Sequence, residues 1–477
     1  MDEKKKLLIV VPHEDDELIL AGPFWDVMME NYEVFVLFTT NGDYGIRTEK
    51  NSRLEETLSA LNVMGVKESN VIFLGYGDKW NNYHLYNSRN DEVRESACGR
   101  NKTYALDSHQ DFHFQKKGEH AQYTKHNFQM DLYEAIEGIM PSVILCCDLD
   151  DHPDHIATSI CTEEAIGTLL LTHKDYYPLV LKKFAYSGSW FGNSDYWLYK
   201  PTILEGVNNR FSCIESVLDN PFYNLNEALV VNSSPSIFTK KLSESPLYLA
   251  ALKYRSQPLA LRMPKVLNSN SLFWERRTDN LLRKAKISAT SGEVAYLNDF
   301  KILDCKNANL GDYPSFCDIG WIPDKNDTEK KITILFDDKV SIGKISIYNM
   351  ISEKSCVNKC KVEVSGNCFV VDFDGYKRCD LILDNKLIDI DRICISIVEY
   401  SGDYPGISEI EVFDAVESKR QLFKTSGMLV EHESDSKKNT ILSMAYSFVY
   451  LCRFKSYYGI RKIRMKLEQI AKSVNNR

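Results

Sequence analysis

Four short, nearly continuous apolar runs, Leu7–Val11, Val34–Thr40, Val71–Tyr76 and Val143–Leu149, constrain this chain more than anything else in it. Apolar runs of that length without polar alternation fit strands buried on both faces. Between them Leu54, Leu58 and Leu61 recur at helical spacing, as do Phe128, Leu132, Ile136 and Ile139. Strand and helix in alternation predict an α/β domain, a Rossmann-like, mostly parallel sheet with helices on both faces. Sites in such sheets lie beyond the carboxyl ends of the strands. Each run is followed at once by polar residues: His13–Glu17, Thr39–Asp43, Gly75–Asp78 and Asp148–His155. Four clusters at one sheet edge mark that edge as the place for chemistry.

The chain has 477 residues, too many for one ordinary core. Residues 79–126 lack regular periodicity and carry five histidines (84, 109, 113, 120 and 126), the texture of a lid or binding loop. From about 160 to 282 the chain reads as mixed helix and loop, with an apolar helix around Pro246–Gln257. Beyond residue 284 alternation sets in: Ile332, Ile334 and Phe336; Ile345 and Ile347; Val362 and Val364; Ile393, Ile395 and Ile397; Ile410 and Val412. Short strands in succession suggest an antiparallel sandwich. The expected division is 1–283, 284–417, and a linker with a helical tail over 418–477.

A net charge of −9 argues against nucleic acid as a partner of the whole molecule. The run Leu7–Val11 is shorter than the about 7–15 apolar residues of a secretory signal, so none is expected. No stretch approaches the roughly 18 apolar residues of a membrane span. Thirteen scattered cysteines without a CxxC pair fit a reduced, cytoplasmic protein.

His13-Glu14-Asp15-Asp16-Glu17 and His152-Pro153-Asp154-His155 each follow a buried run. Two imidazoles and a carboxylate from such loops can hold a divalent metal with one position open for water. The metal brings the pKa of that water towards about 7. A spare carboxylate beside it can take the proton. One such motif alone would be an ordinary solvated loop; two at strand ends of one sheet are not.

At these residues the chain resembles the LmbE/PIG-L deacetylases, zinc hydrolases that remove acetyl groups from N-acetylglucosamine-containing molecules. Pro12–Glu17 matches the family's (A/P)-H-P-D-D-E except at position 14, and His152–His155 matches H-P-D-H in full. Thr39–Asp43, Arg53–Glu56, Leu74–Asp78 and Lys253–Gln257 resemble further family segments, so the likeness covers about 1–280. It implies His13, Asp16 and His155 as ligands of Zn2+, with Fe2+ fitting the same donors, and Asp15 as general base. It implies that His152, oriented by Asp154, stabilises the oxyanion and protonates the leaving amine. Arg53 and Asp78 would contact substrate hydroxyls, a surface ion pair being the other reading of Arg53, and Glu17 would support its loop. Two departures stand out. Glu14 replaces a proline, and Asp150 stands where some members carry a tyrosine that assists the oxyanion. That second donor is unassigned, with His113 and His120 as candidates.

Residues 284–415 are similar to discoidin-like modules with a galactose-binding-like jelly roll, through Ala289–Gly292, Leu297–Asp299 and Gly406–Phe413. Such modules also serve as inert spacers. The sandwich is therefore expected to be an accessory, and a chain cut near 283 to keep some activity. Two other functions compete with the hydrolase. One is an iron oxygenase using two histidines and a carboxylate. The other is a non-catalytic carbohydrate-binding protein that works through the sandwich. Ile441, Ala445, Phe448, Val449 and Cys452, then Ile460, Ile463, Leu467, Ile470 and Val474, follow helical spacing among many basic residues. That amphipathic tail suits either the surface of an anionic membrane or packing on the protein's own domains.

Overall fold

In the computed structural model the residues described are 4–44, 52–78, 85–86, 88–150, 152–185, 228–234, 244–257, 259–262, 270–302, 320–350, 355–373, 378–418, 420–423 and 452. His84 and all of the tail except Cys452 lie outside them.

The four apolar runs become strands β1 (Lys5–Val11), β2 (Tyr32–Thr40), β3 (Val71–Tyr76) and β4 (Val143–Cys147). Helices α1 (Asp16–Ala21), α2 (Trp25–Asn31), α3 (Ser52–Val63), α4 (Phe112–Lys117), α5 (Lys125–Ile139) and α6 (Pro153–Thr172) alternate with them. Three more strands extend the sheet: β5 (Leu179–Lys183), β6 (Leu229–Asn232) and β7 (Asn270–Arg276). Their order is β3-β2-β1-β4-β5-β7-β6. The first five run parallel, and the last two joints are antiparallel. Strands β5–β7 escape a periodicity argument because their apolar stretches, Leu179–Leu181, Leu229–Val231 and Leu272–Trp274, are brief. The apolar helix expected around 246–257 is shorter, α7 (Pro246–Ala251), and a tight turn follows it.

Strand order reverses at β1, which lies between β2 and β4. Ligands of open α/β sheets bind in the crevice at that switch, outside the strand ends. The loops after β1 and β4 carry His13 and His152. The insert over 88–124 is ordered. His113 Nδ1 bonds Asp131 at 2.7 Å and His120 Nδ1 bonds Asp111 at 2.5 Å. Tyr76 donates to the other Asp131 oxygen. The two histidines considered as oxyanion donors thus bind carboxylates through Nδ1, and the Asp131 carboxylate ties the insert to β3 and α5.

The second sheet comprises β8 (Ala285–Ala289), β9 (Lys331–Asn349), β10 (Cys356–Val364), β11 (Asn367–Asp372), β12 (Arg378–Ser401) and β13 (Ile407–Phe413), all antiparallel. The ladder of β9 with β12 breaks at register shifts between Ile382 and Arg392, so each long strand serves two faces of a sandwich. Ile332, Ile334, Ile345, Ile347, Ile393 and Ile395 meet in a core separate from that of the first sheet.

The two units are bound along α6. Glu163 on that helix accepts from Lys182, Arg276 and the Ile302 main chain, while Arg276 also reaches Glu411 of β13. Arg283 donates to the Leu170 and His173 carbonyls and so satisfies the carbonyl end of α6. Gly167 lies so close that a Cβ there would fall 2.0 Å from the Asp299 carbonyl oxygen. After β13 the chain returns to the first core. Leu422 and Phe423 are buried there, Phe423 against Phe24 and Tyr32. Among the described residues no helix is long and apolar enough to cross a membrane.

Candidate active site and metal centre

Where β1 ends, His13 and Asp16 turn inward; where β4 ends, His152 and His155 do the same, and all four are buried. His13 Nδ1 lies 3.1 Å from Asp16 Oδ2, His155 Nε2 lies 3.0 Å from the same oxygen, and the two nitrogens are 3.3 Å apart. Ligands about 2.0–2.1 Å from a tetrahedral ion stand roughly 3.3 Å from one another. The triangle therefore has the size that a metal's ligand shell requires. The remaining nitrogens are backed by carboxylates: His13 Nε2 lies 3.3 Å from Asp154 Oδ2, and His155 Nδ1 lies 2.7 Å from Asp150 Oδ2. Ligating histidines characteristically have such partners, which orient the ring and raise its basicity.

Other combinations are present. His13, His152 and His155 form one group that could hold an ion, and His13, Asp78, His152 and Asp154 form another. In the second, Asp78 Oδ1 is 3.7 Å from His13 Nε2.

The charge balance suits a cation. Glu14, Asp15, Asp16, Glu17, Asp78, Asp150 and Asp154 are all buried, with Arg53 as their one arginine or lysine ion-pair partner among the described residues. Burial alone would push Asp154 up, Asp78 adds to it, and the acid stands at about 7. For His155, burial is outweighed by Asp150 and Asp16, which lift it to about 10. Protons thus fill in where positive charge is wanted, and metal binding would release them.

His152 caps α6. Its Nδ1 accepts from the Asp154 main-chain N–H at 3.2 Å, with Pro153 opening the helix. A neutral ring that accepts at Nδ1 carries its proton on Nε2. Burial, then the charges of His13 and His155, push its pKa down to about 2, so it is neutral. The expected orientation of His152 by Asp154 thus comes from the backbone. The Asp154 carboxylate is 3.7 Å from His152 Nδ1 and closer to His13.

Arg53 differs from expectation too. Its Nε lies 2.9 Å from Glu14 Oε2, Nη1 donates to the Gly42 carbonyl, and Nη2 donates to the Glu14 carbonyl. It is not a surface ion pair but braces the loop that carries Glu14. Gly42 (φ 53°) makes room, since a Cβ there would meet Arg53 and Glu14 at 2.3–2.4 Å. Asp78 stands beside His13, its own N–H held by Asp43.

Asp150 is the residue whose role sequence reasoning missed. Besides His155 it accepts from the main chains of His152 and Ala185, joining the loop after β4 to the end of β5. Its signal was its place two residues before His152. Asp150→Asn should weaken metal affinity about 10- to 100-fold, measured by competition with a chromogenic chelator. Unchanged affinity would detach Asp150 from the metal.

Residues 8–166 match the family model PIG-L, described as GlcNAc-PI de-N-acetylase. No curated protein matches the chain. Among solved structures it is similar to the N,N'-diacetylchitobiose deacetylase from Pyrococcus horikoshii, with 14% identity over 57% of this chain and 84% of that one, TM-score 0.33. A conserved protein from Thermus thermophilus shows 16% identity over 57% and 94%, TM-score 0.32. The family 32 CBM of Clostridium perfringens NanJ, complexed with galactose, shows 14% identity over 28% and 95%, TM-score 0.21.

Proposed function

We propose that this chain, whose N-terminal region carries a PIG-L/LmbE family domain, is a metal-dependent N-deacetylase acting on an N-acetylglucosamine-type sugar. The observation that carries this is the triangle of His13, Asp16 and His155 at the switch point of the sheet, with Asp15 beside it. We assign these three as metal ligands, zinc first and ferrous iron on the same donors. Once bound, the ion supplies a Lewis acid that acidifies water and polarises an amide carbonyl.

The chain's own residues do the rest. Asp15 accepts the proton of the attacking water. His152, neutral, offers its Nε2–H as a hydrogen bond to the carbonyl oxygen as negative charge develops there, and keeps that proton. As the C–N bond breaks, Asp15 passes the proton it took from water to the departing nitrogen, so that amide and water become acetate and amine. Asp78 takes a substrate hydroxyl, and Arg53 holds the loop.

Acetate release from a panel of N-acetylated sugars, sugar nucleotides and glycolipids, with the metal-loaded protein, tests the activity. No release from any of them would favour a carbohydrate-binding protein instead. The ligand assignment has its own test. His155→Ala should lose the metal and the activity together, whereas Asp78→Ala should keep the metal. Full occupancy in His155→Ala, with loss in Asp78→Ala, would move the ion to the other donor group.

A further inference from the structure

Asp15 has φ 134° and ψ −19°. A residue with a Cβ rarely adopts that conformation, and it persists only where its surroundings impose it. Two supports do so. Glu17 Oε2 accepts from the Asp15 main-chain N–H at 3.1 Å, and Glu17 Oε1 accepts from the Tyr254 hydroxyl at 2.5 Å. Glu17 and Tyr254 are both buried. Tyr254 lies on the turn after α7, which is tied to α3 by Ser256, whose N–H and hydroxyl donate to Glu56 at 3.0 and 2.6 Å. The same helix sends Arg53 to the Glu14 carbonyl, with Nη2 3.5 Å from Asp15 Oδ1. Helix α3 therefore anchors both supports.

We infer that Tyr254 and Glu17 are positioning residues. The Tyr254 hydroxyl locks Glu17, and Glu17 holds the Asp15 backbone in its strained rotation, which sets where the Asp15 carboxylate stands. The catalytic consequence rests on the deacetylase proposal; the strain does not.

Tyr254→Phe removes one hydroxyl and leaves the ring in place. Its kcat should fall at least about tenfold with KM and metal content unchanged, since small displacements of a reacting group are costly. Glu17→Gln can still accept from Asp15 and donate to Tyr254, so it should keep most of the rate. Melting curves supply a readout that needs no activity. Asp15→Gly and Asp15→Asn both remove the charge, but only glycine is at ease at this φ. The glycine variant should melt a few degrees above the asparagine variant, and this gap should close in a Tyr254→Phe background. A Tyr254→Phe protein that keeps kcat within twofold, or a gap that persists in it, overturns the inference. If the wild type releases no acetate while the gap closes as expected, the deacetylase reading falls and the strut stands.

Discussion

Asp15→Asn is expected to keep its metal and lose about 100- to 10,000-fold in turnover, the usual consequence of removing a general base. Asparagine preserves the size of the side chain but cannot take a proton from water. Asp15 is as buried as Asp16 and more so than His13, so bulk water cannot readily substitute for it. Other carboxylates near it are engaged: Glu14 by Arg53, Glu17 by Tyr254 and the Asp15 main chain. Metal analysis and acetate release on the same preparation check the result. A variant that keeps more than half of the wild-type rate at neutral pH would show that the base is another group, with Glu14 the first to examine.

Cutting the chain after residue 283 should cost the protein its fold, and activity with it. The sandwich looked like a detachable accessory in the sequence, because none of its residues belongs to the hydrolase motifs. In the structure the first domain leans on residues from the later part of the chain. Phe300, Met350, Leu422 and Phe423 belong to its core, and without them Phe24, Tyr32 and one face of α6 meet water. Four such side chains at about 1.5–3 kcal/mol each amount to roughly 6–12 kcal/mol, comparable to the whole stability of about 5–15 kcal/mol of a typical domain. Glu163 would also lose the Ile302 N–H, and Arg276 would lose Glu411. Soluble yield and thermal melting would register the change, with a chain ending at residue 423 as the control. A well-folded, active protein ending at 283 would show that these contacts are dispensable.

That contrast shows where sequence reasoning has reach. Strands β1–β4 were legible because burial on both faces leaves an unbroken apolar run that no surface element would tolerate. The helices α3 and α5 were legible because each buries one stripe at a period of 3.6. Strands β5–β7 were not, because their apolar stretches, Leu179–Leu181, Leu229–Val231 and Leu272–Trp274, are too brief to stand out. The same holds for Arg53. Its place in a family-like segment suggested substrate, whereas its partner is decided by Glu14, 39 residues earlier in the chain.

Local periodicity, and the residues that directly succeed each apolar run, were enough to settle the sheet, the edge at which chemistry collects and the residue types gathered there. The partners were settled by the folded chain. It put His13, Asp16 and His155 within 3.0–3.3 Å of one another, set Asp150 behind His155, and brought Tyr254 to Glu17 across 237 residues. It also brought Phe300, Met350, Leu422 and Phe423 into the first core. Hydrogen bonds and buried ion pairs act over a few ångströms whatever the separation along the chain, so their identity becomes readable only once the chain has folded back on itself.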